Sequence, residues 1–142
     1  MKLLATTAIV TFTAFALAAQ PLLKIAGPTI VAFAPPVTER DFEADANLAD
    51  VFEDFQIYIG QARPRLQRAG VRFVVLTAKS FRIRVDNKTS TYRPGKVDLG
   101  YYFVEPRKAP RIILGVADEE DLVNTAEEYF GVNVPRKDSE NR

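Results

Sequence analysis

Four basic residues in the middle of the chain have the type and spacing to bind an anion. Arg82 and Arg84 alternate with apolar residues over 81–86, which predicts a strand at a sheet edge or facing solvent, with both guanidinium groups in water. Arg93 and Lys96 follow in the adjoining polar stretch. Because Arg binds carboxylate and phosphate through paired N–H bonds, these residues are the predicted partner-binding or anion-binding site. Exposed Arg on an edge strand also prevents aggregation, which is the alternative explanation.

The residue types that the chain lacks exclude much catalytic chemistry. It contains no Cys and no His. It therefore cannot form a disulfide, a CxxC redox pair, a Cys or His nucleophile or base, a Ser-His-Asp triad or a zinc site of the usual ligands. We expect no catalytic residue, no metal site and no cofactor.

Two acidic runs supply the remaining candidate chemistry. Asp118–Asp121 could offer carboxylate oxygens to a calcium or magnesium ion, but capping and the dipole of a helix that begins there explain the run without a metal. The run 39–54, which contains Asp50 and Glu53, could supply the carboxylate pair of a glycoside hydrolase. An acidic lead into a helix is the simpler explanation of that run.

Aromatic residues near the basic segment could stack on a sugar ring; they are Tyr92, Tyr101, Tyr102 and Phe103. Neighbouring residues of a strand point to opposite faces of its sheet. The pattern therefore favours Tyr101 and Phe103 as core residues and Tyr102 as a residue packed beneath a helix.

Charge is segregated along the chain in the order acidic, basic, acidic. The chain has 19 Lys or Arg and 18 Asp or Glu, and removal of Lys2 with a leader would make it neutral. Acids dominate 39–54 and 118–128, whereas bases dominate 60–111. The basic segment could present a cationic face to an anionic partner, or it could neutralise the acidic helices; the sequence favours the second interpretation. The neutral balance argues against nucleic acid as the partner.

The first nineteen residues have the pattern of a secretory signal peptide. Lys2 precedes an apolar stretch, and Ala16-Leu17-Ala18 fits a signal-peptidase site. We therefore expect a periplasmic or secreted protein, with residues 20–28 as a linker and no stable membrane span after processing. Retention of the leader as an uncleaved anchor is the alternative.

Periodicity predicts a βαβ unit at the start of the body. Thr29–Ala34 is a continuous apolar run between prolines, typical of a strand buried on both faces. From about Asp41 to Ala69, apolar residues recur every three or four positions, which predicts a helix that kinks or breaks near Arg63 because of Pro64. Residues 71–76 predict a second central strand.

The second half predicts a hairpin and a final helix. The stretch 87–95 is polar and turn-rich, typical of a mobile loop. Residues 99–104 and 111–116 predict an antiparallel hairpin, and a helix follows from an Asp118 cap to Gly131. We therefore expect one α/β domain over 29–131 and a polar tail over 132–142.

The order of these elements resembles the thioredoxin-like fold. The stretch Ala62-Arg63-Pro64-Arg65-Leu66, leading into 71–76, is similar to that family's kinked helix and following strand, and 112–122 resembles its last strand and helix. The CxxC position of the family holds Pro35-Pro36-Val37-Thr38, and no Pro stands immediately before Leu99, where the family's cis-Pro would be expected. The resemblance thus implies a cysteine-free, redox-inactive member. The extra strand at 81–86 keeps open an α+β sandwich with a mostly antiparallel sheet.

Together these observations predict an exported binding module without catalytic or redox activity. Its partner would be an envelope or secreted protein, or an anionic envelope component such as a glycan or a lipid headgroup. The alternative is a carboxylate-dependent hydrolase of cell-envelope glycans.

Overall fold

A computed structural model describes residues 20–96 and 98–137, so the predicted leader 1–19 lies outside the described residues. It contains, in chain order, strands and helices with these bounds: β1 Leu22–Ile25, β2 Thr29–Ala34, α1 Glu39–Ala44, α2 Ala46–Arg68, β3 Arg72–Thr77, β4 Phe81–Val85, β5 Lys88–Tyr92, β6 Gly100–Val104, β7 Arg111–Leu114 and α3 Glu119–Phe130.

The strands form two sheets. The large sheet has the order β3-β2-β6-β7, and the small sheet has the order β1-β4-β5. The pairs β2–β3 and β1–β4 are parallel, and the other pairs are antiparallel. The structure therefore confirms the mixed α/β class, and the parallel pairing of β2 with β3 confirms the predicted βαβ unit.

Strand β2 lies at the centre of the molecule, and all six of its residues are buried. Ile30, Ala32 and Ala34 belong to the core cluster that also contains apolar side chains of α2 and α3. Val31 and Phe33 belong to a second cluster, formed with the small sheet. The molecule thus has a layer of helices, the large sheet and the small sheet, and each face of β2 contributes to a separate core.

Aromatic rings fill the core between the two sheets. The Phe33 ring lies 5.7 Å from that of Phe81 and 5.3 Å from that of Tyr92. The Tyr102 ring lies 5.7 Å from Phe81 and 5.2 Å from Tyr92. The prediction that Tyr102 packs beneath a helix is therefore wrong, because that face of β6 is covered by the small sheet. Tyr101 and Phe103 are core residues on the helix side, as predicted.

Helix α2 continues through Pro64 to Arg68, so the helix does not break near Arg63, and the kink that the sequence also predicts there stays a prediction. Proline removes the hydrogen bond to the carbonyl four residues earlier, here that of Gly60. Both Gly60 and Pro64 are exposed, so water can replace the lost bond. The predicted helix instead divides at Asp45, whose side chain accepts a hydrogen bond from the Asn47 N–H at the start of α2.

Two segments that the sequence predicts to lack regular structure contain strands. The predicted linker 20–28 contains β1, and the predicted loop 87–95 contains β5. Both strands pair with β4, which is therefore the centre of the small sheet rather than an edge strand. Conversely, β3 is an edge strand of the large sheet rather than a central one.

The remaining elements agree with the predictions. Strands β6 and β7 form the predicted hairpin. Asp118 caps α3, with its Oδ1 accepting a hydrogen bond from the Asp121 N–H at 2.9 Å. Gly131 ends the helix in the left-handed conformation, with φ of 70°.

Close packing of β6 against β7 depends on Gly100, and this gives a testable prediction. A Cβ atom at Gly100 would lie 2.2 Å from the Ile113 carbonyl oxygen. We expect Gly100→Ala to lower the free energy of unfolding by about 1–3 kcal/mol, because the backbone must move. Denaturant unfolding followed by circular dichroism measures the change.

The matched control is Gly60→Ala in the exposed middle of α2, where no atom lies within 4 Å of the added methyl group. This variant should gain about 0.5–1 kcal/mol because alanine favours helix. Equal stability of the two variants would contradict the close approach at Gly100.

Candidate functional site

The outer face of the small sheet carries most of the predicted site residues. Phe81 and Ile83 of β4 point into the core between the sheets. Because side chains alternate along a strand, Arg82 and Arg84 lie on the opposite face. Arg84 is exposed and Arg82 is half-buried. The structure thus confirms the orientation that the sequence predicts for these two residues.

The strands that flank β4 extend this face. Lys24 of β1 is the register partner of Arg84 and is exposed. On the other side, Thr89 and Thr91 of β5 are the partners of Arg84 and Arg82. Arg93 is exposed immediately after β5, at the position that would continue the row of Thr89 and Thr91. We call Lys24, Arg82, Arg84 and Arg93 the basic face.

Contacts with backbone carbonyl groups position the guanidinium groups of Arg82 and Arg72. The Arg82 Nη2 donates a hydrogen bond to the Gln20 carbonyl oxygen at 3.3 Å. The buried Arg82 Nε has no hydrogen-bond partner among the described residues. Arg72, at the start of β3, donates from Nη1 to the Lys24 carbonyl oxygen at 2.9 Å. Arg82 is therefore held in place while retaining an unused donor.

Lys96 lies at a cleft that the other three residues of the predicted site do not line. It lines a cleft of about 360 Å³ together with Lys79 and with Pro35, Pro36, Pro94 and Gly95. Arg82, Arg84 and Arg93 share the small sheet, whereas Lys96 lies beside the ends of β2 and β3.

The ion pairs show where the basic segment is neutralised. Arg65 contacts Glu119 at 3.1 Å and Glu120 at 2.9 Å, and Arg111 contacts Glu128 at 3.3 Å. All three acids belong to α3. Within 20–96 and 98–137, no ion pair joins the basic segment to the acids of 39–54, and none involves a member of the basic face. The acids of α3 therefore neutralise Arg65 and Arg111, whereas the basic face has no acidic partner among the described residues.

Arg65 and Glu119 form a buried ion pair between α2 and α3. They are 6% and 7% exposed. Arg65 also donates from Nη2 to the Pro135 carbonyl oxygen at 3.1 Å, and Lys137 contacts Glu119 at 2.7 Å. These contacts stabilise the segment after α3.

The predicted polar tail is therefore partly structured. Val134 is buried in the core, and its N–H donates to Glu127 at 3.2 Å. Val134 thus belongs to the core although it lies within the predicted tail 132–142; residues 138–142 lie outside the described part of the chain.

Burial and charge act in opposite directions on this ion pair. Burial alone would lower the pKa of Arg65, but the hydrogen bonds and charges of Glu120 and Glu119 outweigh it and raise that pKa. Burial alone would raise the pKa of Glu119, but the hydrogen bonds and charges of Lys137 and Arg65 outweigh it and lower that pKa. Both groups are therefore held in their charged forms.

The acidic runs serve as helix caps in this structure. Besides Asp118, the Thr38 hydroxyl and the Asp41 carboxylate form a capping box at the start of α1. Asp50 and Glu53 are both exposed on α2, where they neighbour each other on one helix and do not face each other across a cleft. In the portion of the chain described, no group of three or more acidic side chains is arranged to hold a metal ion. The glycan hydrolase stays a prediction.

Sequence reasoning missed Lys24 and Lys79. The alternation of Leu23 and Ile25 with Leu22 and Lys24 was the available signal, but four residues are a short run beside a proline. Nothing in the spacing of Lys79 relates it to Lys96, because their proximity comes from the pairing of distant strands.

Comparison with known proteins gives no match to a family model, a curated protein or a solved structure. The resemblance to the thioredoxin-like fold stays a prediction. Among the helices of the described residues, none is both long and apolar enough to cross a membrane.

The buried ion pair predicts a pH-dependent stability. Glu119→Gln should lower the free energy of unfolding at neutral pH by about 2–3 kcal/mol, because Arg65 loses a charged partner while buried. Since the folded pKa of Glu119 lies below 4.5, its contribution is present above that pH and is lost as the pH falls through the folded pKa. The variant should therefore lose less stability on acidification than the unmodified protein.

The control is Glu120→Gln, which removes the other partner of Arg65 at a side chain that is 66% exposed. Its cost should be below about 1 kcal/mol because solvent screens the interaction. Denaturant unfolding at a series of pH values gives both results. Equal costs for the two variants would contradict a special contribution of the buried pair.

Proposed function

We propose that this protein is a non-catalytic binding module whose basic face binds an anionic component of the cell envelope. The observation that carries the proposal is the gathering of Lys24, Arg82, Arg84 and Arg93 on one side of the small sheet without an acidic partner among the described residues. Cations left unpaired on one surface attract an anionic partner over distances of about the Debye length, roughly 8 Å in physiological salt.

The setting of these cations supports binding rather than protection of an edge. Arg82 and Arg84 lie on β4, which is paired on both sides and needs no protection against further strand pairing. Phe81 and Ile83 anchor β4, because both are buried in the core between the sheets. The bond of Arg82 to the Gln20 carbonyl oxygen also restrains one of the two guanidinium groups, which reduces the entropy lost on binding.

The flanking β5 adds hydrogen-bonding groups to the charges. Thr89 and Thr91 are exposed beside Arg84 and Arg82. Hydroxyl groups donate to phosphate, sulfate and carboxylate oxygens, as guanidinium groups do. The face therefore has the donors that an anionic lipid headgroup or an acidic glycan needs.

The predicted leader supports a location where such partners occur. Residues 1–19 have the pattern of an exported protein, and exported proteins meet anionic headgroups and glycans. Binding also needs neither Cys nor His, which this chain lacks.

The test reverses two exposed charges of the basic face. Lys24→Glu combined with Arg84→Glu should weaken binding to phosphatidylglycerol vesicles or to a soluble acidic polysaccharide by about tenfold or more, because each cation near an anionic surface contributes roughly 1 kcal/mol. Co-sedimentation with vesicles and titration with the polysaccharide distinguish the two sources. Binding of the unmodified protein should weaken as salt is added.

The control makes the same change of net charge on the helices, by Arg40→Glu combined with Arg63→Glu, both exposed. It should retain binding. Equal loss in both double variants, or no binding of the unmodified protein to either probe, would contradict the proposal.

A further inference from the structure

Strand β7 is an open edge of the large sheet. It pairs with β6 on one side, and within the described residues no strand pairs with its other side. Ile112 is 41% exposed and Leu114 is 58% exposed. The stretch 112–114 contains neither the Lys nor the Pro that commonly protects such an edge. β7 therefore combines free backbone groups with exposed apolar side chains.

The register of the hairpin shows which backbone groups are free. The Gly115 N–H donates to the Leu99 carbonyl oxygen at 2.8 Å, and Ile113 is the partner of Tyr101. In an antiparallel ladder, alternate residues direct their N–H and C=O groups to the same neighbour. Ile113 therefore bonds to β6, whereas Ile112 and Leu114 direct their backbone groups outward.

We propose that β7 pairs with β7 of a second copy of this chain, in antiparallel orientation about a two-fold axis at Ile113. In this register Ile112 lies opposite the partner's Leu114, so that the outward N–H and C=O groups of both residues are bonded. The exposed side chains of this pair then cover each other. A symmetric interface uses the same surface on both copies, so the pairing occurs twice.

Other symmetric registers give the backbone N–H and C=O groups of β7 fewer hydrogen bonds. If the two-fold axis moves toward the start of β7, Pro110 lies opposite Leu114, and Pro110 has no N–H to donate. If the axis moves toward the end of β7, the paired segment extends past Gly115, whose φ of 92° turns the chain out of the strand. A shift by one residue would bring side chains of opposite faces together.

Charge complementarity supports a second copy as the occupant. Arg107 precedes β7, and Asp118 and Asp121 follow it; all three are exposed and have no ion-pair partner among the described residues. Antiparallel pairing brings the basic end of each copy to the acidic end of the other. The charges on the two ends of this surface are therefore complementary to each other.

The dimer goes beyond the proposed function and can be tested without it. The axis is perpendicular to the large sheet, so both small sheets lie on the same side of the joined sheet. The two basic faces would then act on one anionic surface, which increases the effective affinity.

The first experiment is sedimentation analysis of the protein over a range of concentrations. The unmodified protein should form a dimer, and Leu114→Lys should raise its dissociation constant by about tenfold or more, since a charge is placed opposite Ile112. The control Val75→Lys changes an equally apolar residue, 44% exposed on the edge strand β3, and should leave the constant unchanged. A monomer at all concentrations, or an effect of Val75→Lys as large as that of Leu114→Lys, would overturn the proposal.

Hydrogen exchange of the unmodified protein locates the pairing without any variant. The amides of Ile112 and Leu114 should gain protection as the concentration rises, in step with the dimer. A dimer in which these amides exchange as fast as in the monomer would refute the proposed interface.

A charge-exchange experiment tests the orientation. Arg107→Glu and Asp121→Lys should each weaken the homodimer, whereas an equimolar mixture of the two variants should restore dimerisation. In the mixed dimer, each altered end meets an opposite charge. A mixture that dimerises no better than its components would exclude the antiparallel arrangement.

Discussion

The fold depends on the burial of β2, a strand whose six residues are all buried. Other elements must therefore pack against both faces of this strand. The helices α2 and α3 cover the face that carries Ile30, and the small sheet covers the face that carries Phe33. The basic face is a consequence of this requirement, because a small sheet that contributes Phe81 and Ile83 to the core must direct Arg82 and Arg84 to solvent.

Much of this arrangement could be predicted from periodicity. The unbroken apolar run at 29–34 correctly predicts a strand buried on both faces, and the alternation at 81–86 correctly directs Arg82 and Arg84 outward. The small sheet that covers the second face could not be predicted, because β1 has only four residues and the first four residues of β5 are polar and exposed. Both become strands through pairing with β4, and such tertiary effects outweigh local propensity. Lys24 was missed for the same reason.

The segregated charges along the chain have two different positions in the fold. The acids of α3 bind Arg65 from α2 and Arg111 from β7, which are basic residues at the two ends of the basic segment. Arg82 and Arg84, which lie between these ends in sequence, are on the small sheet, on the opposite side of the large sheet from the helices. Neutralisation by α3 and presentation of a cationic face are therefore not exclusive, because the large sheet separates the two groups.

The parallel pair of β1 and β4 has a kinetic consequence. Gln20 and Ser80, joined by a hydrogen bond at the start of this pair, are about sixty residues apart in sequence. Pairings between distant segments must first overcome the entropy of closing a long loop, and they slow folding. Lys24 lies beside Arg84 only after β1 has paired with β4, which belongs to a hairpin much later in the sequence. The cationic surface is thus a property of the fully folded chain, and an extended or partly folded chain does not display it.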